Sequence, residues 1–398
     1  MTRPAGFFVA MALVSLPAGA AVVPERLDPT LTVVVGGGLS AGFADFHLTG
    51  TGQNRAWPVL AAQQMGTYMA VPTMRESPYT GVVNSYQPLP GLLRQVPQSG
   101  ERALPFPFFA LNLSVPFFRV GDSLRLRAQP KIDGLNLIPA IEGDIRQTLA
   151  NAIVGGPLLV FQPPVLLTQA EYAQSLNPTL MFIQLGFEDV LDAAVGGDAS
   201  KITSTSSFAS DYGQLLGRML QTDATVIVMT VPDPTETAYF ATVGEVAQQY
   251  GMAPADLSAR FGLGAGDLVT LGGMVEIADA LRGRGSGASG LSRGSVLPAA
   301  VASSVRSAVT GYNSAIRAAV QDTRAKVFDL GDYLHQVKVA GVSSGGVSVT
   351  GAYGGGFYSE DGLYPGAAGQ ALIANAVLQF LNSQYGSSFQ PVAVGGLQ

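Results

Sequence analysis

The chain has 398 residues, of which 47% are hydrophobic and only 13% are charged, so it can bury a large core. Its formal net charge is −6 and it has no block of basic residues, which argues against a nucleic-acid-binding protein. The sequence has no cysteine, which excludes disulfides, cysteine-ligated metal centres and thiol catalysis, and histidine chemistry is limited to His47 and His335.

The N-terminus has the pattern of an export signal. Arg3 supplies a positive charge, residues 5–16 form a short apolar run, and Pro17 is followed by the small residues 18–20. That run is too short for a membrane span, which needs about 20 residues, and no later stretch reaches spanning length without polar interruption. We expect a signal peptide over residues 1–20, with a buried helix as the alternative. The mature chain would then lie in a periplasm, the cell envelope or the extracellular space.

Predicted strands and helices alternate along the rest of the chain. The first three predicted strands are apolar runs that end at glycine or proline. In chain order we predict a strand over 31–36, a helix over 55–65, a strand over 180–185, a helix over 208–219, a strand over 224–231, a helix over 298–319, a strand over 326–330, a helix over 332–339 and a helix over 367–385. Such alternation is typical of a parallel sheet covered by helices on both faces. We find no internal repeat and expect a single domain over residues 21–398.

Three stretches are predicted to be loops. Residues 68–110 are rich in proline and aromatic side chains, residues 285–293 have the composition of a flexible surface loop, and residues 343–356 are rich in glycine. The first and the last offer a contact surface for a partner.

Four short segments carry a resemblance to a known family. They are VGGGLSAG (35–42), NLSVP (112–116), LGFED (185–189) and SEDGLYP (359–365). Together they resemble the sequence blocks of the SGNH (GDSL) hydrolase family over roughly residues 30–390. The most specific stretch is DGLYPGAAGQALIANAVLQFLNSQYG at the C-terminal end. The resemblance implies a flavodoxin-like three-layer α/β sandwich, with a central parallel sheet, helices on both faces and long loop insertions. In such folds the active site lies at the carboxyl ends of the strands.

The resemblance assigns residues of this chain to the family's active-site positions. Most of these residues lack the groups that perform the family's chemistry. Gly38 stands where the family has its nucleophilic serine, and it has no side chain that could attack. Glu188 replaces the asparagine that donates to the oxyanion, where a carboxylate would repel developing negative charge. Tyr364 replaces the histidine base, and its reference pKa of about 10 makes it a poor base at neutral pH. Phe117 stands at the glycine whose amide helps to form the oxyanion hole, while Asp361 is retained as the orienting aspartate.

These changes predict an exported protein that has lost catalysis and serves as a binding or structural component of the cell envelope. Its expected partner is a cell-envelope protein, a lipid or a glycan, and we expect no cofactor. The resemblance also leaves an active serine esterase or lipase open. Such an enzyme would use a displaced Ser40, or Ser123 in the literal motif Gly-Asp-Ser-Leu, together with His47. The ordinary interpretations are a helix N-terminal position for Ser40, a chance recurrence for Ser123 and a loop or packing role for His47. We expect His335, on a predicted helix, to have a surface or packing role.

A further alternative uses the carboxylates Glu188, Asp189 and Asp361. If they lie near one rim, they could act as acid and base on a glycosidic bond, or hold Ca²⁺ or Mg²⁺. The ordinary interpretation is that Glu188 is solvated and that Asp189 caps the helix that follows it.

Overall fold

The computed structural model describes residues 26–74, 102, 109–129, 131–133, 136–138, 144–155, 166–284, 290–292 and 294–396. The predicted signal peptide, most of the 68–110 loop and most of the 285–293 loop lie outside the described residues.

The described strands are mostly short. They are β1 Thr32–Gly36, β2 Phe43–Ala44, β3 His47–Leu48, β4 Lys131–Asp133, β5 Asn136–Ile138, β6 Leu180–Gln184, β7 Thr225–Met229, β8 Phe240–Thr242, β9 Leu268–Thr270, β10 Val296–Leu297, β11 Lys326–Phe328, β12 Val342–Ser344 and β13 Val347–Val349.

The described helices range from a single turn to 22 residues. They are α1 Gly38–Ala41, α2 Gly50–Asn54, α3 Trp57–Gln64, α4 Val120–Arg125, α5 Ile145–Ile153, α6 Gln169–Ser175, α7 Glu188–Gly196, α8 Thr205–Met219, α9 Val243–Gln249, α10 Pro254–Phe261, α11 Leu271–Leu281, α12 Ala299–Val320, α13 Leu330–Ala340 and α14 Ala367–Tyr385. No helix in the described ranges is both long and apolar enough to cross a membrane.

A central sheet of four parallel strands, in the order β1-β6-β7-β11, organises the molecule. All four were predicted from the sequence, and β1 and β6 are buried along their whole length because both faces of the sheet are covered. Helices flank the sheet in two groups: α8 packs against α12, α4 and α6, whereas α3 packs against α14. The mixed α/β architecture with a helix-covered parallel sheet is therefore confirmed.

Residues 111–115 run beside the free edge of β1. The amide of Val34 donates to the carbonyl of Leu111 at 2.9 Å, and the amides of Leu113 and Val115 donate to Val34 and Gly36 at 3.0 Å each. The chain therefore leaves β1 first toward this segment and later crosses to β6 on the other side. Such a reversal opens a crevice at the carboxyl ends of the two diverging strands, here β1 and β6.

Residues 240–297 form a smaller unit that we did not predict. It contains α9, α10 and α11 around a three-stranded antiparallel sheet in the order β10-β9-β8. Its apolar cluster includes Val246, Leu257 and Ile277. Strands of two or three residues are too short to show hydrophobic alternation, so this sheet gives almost no periodic signal in the sequence.

Asn313 on α12 holds the chain where it leaves β7. Its Oδ1 accepts a hydrogen bond from the amide of Val231 at 2.7 Å, and its Nδ2 donates to the carbonyl of the same residue at 2.9 Å. We expect Asn313→Ala to lower the free energy of unfolding by about 2–3 kcal/mol, because both backbone groups of a buried residue lose their partner. Urea denaturation measures this loss. Ser314→Ala, which removes only an exposed bond to the carbonyl of Thr310, is the control and should change stability by less than about 0.5 kcal/mol.

Candidate functional site

Three glycines at the end of β1 are each approached by a different side chain. A Cβ atom on Gly36 would stand 2.5 Å from Oγ of Ser114, and one on Gly37 would stand 2.5 Å from Oε2 of Glu188. On Gly38 it would stand 2.7 Å from Cζ of Tyr364 and closer still to Cε1 of that ring. Real Cβ atoms essentially never approach other heavy atoms this closely. At Gly38 the obstacle is an aromatic ring, so the packing of the crevice requires glycine there, whereas at Gly36 and Gly37 it is the end of a polar side chain.

The carboxyl group of Glu188 accepts the hydrogen bond of the Gly38 backbone amide. Glu188 is the first residue of α7, is 3% exposed, and its Oε1 accepts a hydrogen bond from the Gly38 amide at 2.6 Å. Oε2 is buried and makes no hydrogen bond with the rest of the described chain. Burial raises the pKa of Glu188 to about 8, so the carboxyl group is mostly protonated at neutral pH. The amide of Gly38 is thus already hydrogen-bonded inside the protein.

The ring of Tyr364 fills the space beside Gly38. Tyr364 is fully buried, and its ring centroid lies 5.1 Å from that of Phe43, 6.0 Å from Phe187 and 6.5 Å from Phe117. We call Phe43, Phe117, Phe187 and Tyr364 the aromatic cluster. Their edge-to-face contacts are favourable beyond simple burial, so the cluster closes the crevice with a packed apolar core.

Phe117 has a backbone conformation that favours glycine. Its φ is 68°, which is a strained value for a bulky residue. The ring compensates by packing edge-to-face on Phe43 at 5.2 Å. The segment after Pro116 therefore has the backbone path that a glycine adopts without cost, while the side chain it carries belongs to the aromatic cluster.

Asp361 holds backbone groups in place. Its Oδ1 accepts from the amides of Leu363 and Tyr364 at 2.8 Å each, and Oδ2 accepts from the amide of Phe46 at 3.4 Å. Asp361 is 1% exposed, and burial raises its pKa to about 6. This carboxyl group fixes the turn that presents Tyr364 and also anchors the tip of the β2–β3 hairpin.

Asp189 binds the first residue of α4. Its Oδ2 accepts from the amide of Val120 at 3.0 Å, so it caps α4 and not the helix that follows it, whose N-cap is Phe187. Burial raises the pKa of Asp189 to about 6. Glu188, Asp189 and Asp361 thus bind three different backbone segments. Over the described ranges, no three or more His, Cys, Asp or Glu side chains are grouped so that they could hold a metal ion.

Ser40 and Ser123, the serines of the esterase alternative, are each hydrogen-bonded to groups other than a histidine. The hydroxyl of Ser40, fully buried on α1, donates to Oε1 of Gln184 at 2.9 Å and accepts from Nε1 of Trp57 at 3.1 Å. Ser123, also fully buried, donates to the carbonyl of Val120 at 2.7 Å. Neither hydroxyl is bonded to His47, which is half-buried on β3. The other histidine, on the exposed surface of α13, lies 2.9 Å from Glu236.

Two polar residues that we did not predict complete the site. Gln184 ends the otherwise apolar strand β6, is 2% exposed and holds Ser40 in place. Ser114 is 3% exposed, and its hydroxyl lies against Gly36. The sequence did contain a signal for Gln184, which is the last residue of an otherwise apolar strand. A buried polar residue at a strand end needs a hydrogen-bond partner, so this position predicts one.

Comparison with known proteins identifies no family. A scan against protein-family models gave no match, and neither did a search of curated proteins.

Proposed function

We propose that this chain is an exported, non-catalytic protein with the SGNH (GDSL) hydrolase fold, and that it serves as a binding or structural component of the cell envelope. The strand order supports the fold. Residues 111–115, β1, β6, β7 and β11 lie side by side in the flavodoxin-like order, and the four resembling segments meet at the crevice between β1 and β6.

The observation that carries the proposal is the contact of Gly38 with both Glu188 and Tyr364. At the nucleophile position of the family there is no side chain, and the space for one is taken by the Tyr364 ring. The amide that would help to stabilise an oxyanion donates to Glu188 instead. Loss of one oxyanion donor already costs an esterase about 100-fold or more in kcat, and this site also lacks the attacking group.

Export and an envelope partner are the other parts of the proposal. Export rests on the signal-peptide pattern of residues 1–20. The partner would be an envelope protein, a lipid or a glycan, bound by the surface because the crevice itself is packed.

Covalent labelling tests the loss of catalysis. We expect the purified mature protein, shown to be folded by a cooperative urea transition, to give no fluorophosphonate labelling and no hydrolysis of p-nitrophenyl acetate above buffer. The reason is that Ser40 and Ser123 are buried and hydrogen-bonded away from a base. A commercial serine esterase at the same concentration serves as the positive control.

The esterase alternative predicts both labelling and hydrolysis. Stoichiometric labelling that disappears in Ser40→Ala or Ser123→Ala, together with loss of turnover in the same variant, would overturn the proposal and identify the nucleophile. His47→Gln would then be expected to reduce the turnover as well.

A further inference from the structure

A cavity separate from the aromatic cluster lies between the smaller unit and the main body. Its volume is ≈ 360 Å³, which is in the size range of small-molecule sites. Most of its wall is apolar and comes from β8, α9 and α11, including Phe240, Val246, Leu271 and Met274. Tyr353 also lines the cavity and is 51% exposed. A ligand with an apolar part of modest size would therefore transfer that part from water to apolar surroundings when it enters this cavity.

The charged groups at the cavity are Lys338 and Glu245, which form an ion pair. Nζ of Lys338 lies 3.2 Å from Oε1 of Glu245. Oε2 of Glu245 also accepts from the amide and the hydroxyl of Thr242, at 2.7 Å and 2.9 Å, so this carboxylate has three donors. The ammonium group of Lys338 has three N–H donors and makes no second hydrogen bond or ion pair with a described residue. Of the two charged groups, Lys338 thus retains more unused hydrogen-bonding capacity, and this capacity is that of a donor.

We propose that this cavity binds a small amphipathic carboxylate, whose alkyl chain lies against the apolar walls and whose carboxylate accepts hydrogen bonds from Lys338. The cavity volume of ≈ 360 Å³ lies in the range of sites that hold small ligands, and decanoate is a probe of this size and chemistry. A cationic head group would meet Lys338 without gaining an acceptor, because Glu245 is already engaged. The site uses none of the residues around Gly38, so it is independent of the loss of catalysis.

Titration calorimetry with three ligands of equal chain length tests the proposal. We expect saturable one-site binding of decanoate, at concentrations below its micelle formation. Decanol should bind about tenfold or more weakly, because a charge-assisted hydrogen bond is lost. Decyltrimethylammonium should also bind more weakly than decanoate, since its head group offers Lys338 no hydrogen-bond acceptor.

Two kinds of variant locate the ligand. Lys338→Met should reduce decanoate affinity to that of decanol, whereas Lys201→Met, at an exposed lysine elsewhere, should leave it unchanged. Ala278→Phe on α11 places a ring in the cavity and should abolish binding, whereas Ala300→Phe, at an exposed position of α12, should not. Val275→Phe, which is one turn earlier on the same wall, repeats the blocking test if Ala278→Phe does not fold.

Three results would overturn the proposal. They are the absence of saturable decanoate binding, equal affinity for decanoate and decanol, and undiminished decanoate binding by a folded cavity-filling variant. None of them depends on the fluorophosphonate experiment, so each hypothesis can fail alone.

Discussion

Gly38→Ala is expected to lower the free energy of unfolding by about 3 kcal/mol, a large effect for a single methyl group. The new Cβ would stand 2.7 Å from Cζ of Tyr364. The ring cannot move aside easily, because Phe43, Phe117 and Phe187 enclose it. The φ of Gly38 is not positive, so the cost comes from the contact and not from the backbone. Urea or thermal denaturation measures the loss.

A double-mutant cycle separates this contact from a general effect of the substitution. In a Tyr364→Ala background, Gly38→Ala should cost at least about 2 kcal/mol less than in the wild type, since the clashing ring is gone. Gly213→Ala is the matched control, because a Cβ at this position of α8 meets no heavy atom within 4 Å. It should stabilise the protein by about 0.4–1 kcal/mol. Equal costs of Gly38→Ala in both backgrounds would show that Tyr364 does not occupy this space.

The free energy of unfolding of the wild type is expected to fall by about 2 kcal/mol between pH 6 and pH 8. The pKa of buried Glu188 is raised from 4.5 to about 8, so the folded state keeps a proton that the unfolded chain releases. The stabilisation is complete below pH 4.5 and is lost as the pH rises through 8. Asp189 and Asp361, with pKa values raised from 3.8 to about 6, act in the same direction at lower pH, which leaves the range from 6 to 8 mainly to Glu188.

Glu188→Gln should remove most of this pH dependence. The amide oxygen of glutamine can still accept from the Gly38 amide, but the side chain has no proton to lose. Glu360→Gln, at an exposed glutamate, is the control and should keep the wild-type slope. Denaturation curves at pH 6, 7 and 8 give the slopes. Parallel slopes for the wild type and Glu188→Gln would show that Glu188 is ionised well below pH 6.

The central sheet could be predicted from the sequence because its strands are buried on both faces. Residues 32–36 and 180–184 therefore consist almost entirely of apolar residues. Such an uninterrupted apolar run is visible in the sequence and indicates a strand buried on both faces. The C-terminal helix was predicted with the same bounds as observed, Ala367–Tyr385, since Pro365 and Gly366 precede it and Gly386 follows it. The unit over 240–297 was missed because strands as short as Val296–Leu297 carry no such pattern.

By itself, the sequence determined which side-chain groups are available at positions 38 and 364. Gly38 has no hydroxyl and Tyr364 has no imidazole, and this follows from residue type alone. Only the tertiary structure decided what surrounds these two positions. Glu188 lies 150 residues from Gly38 along the chain, yet its carboxyl group binds the Gly38 amide, and the Tyr364 ring covers the same glycine. Contacts over such separations, and the burial that keeps Glu188 protonated, arise only when the strand ends are brought together by the parallel sheet.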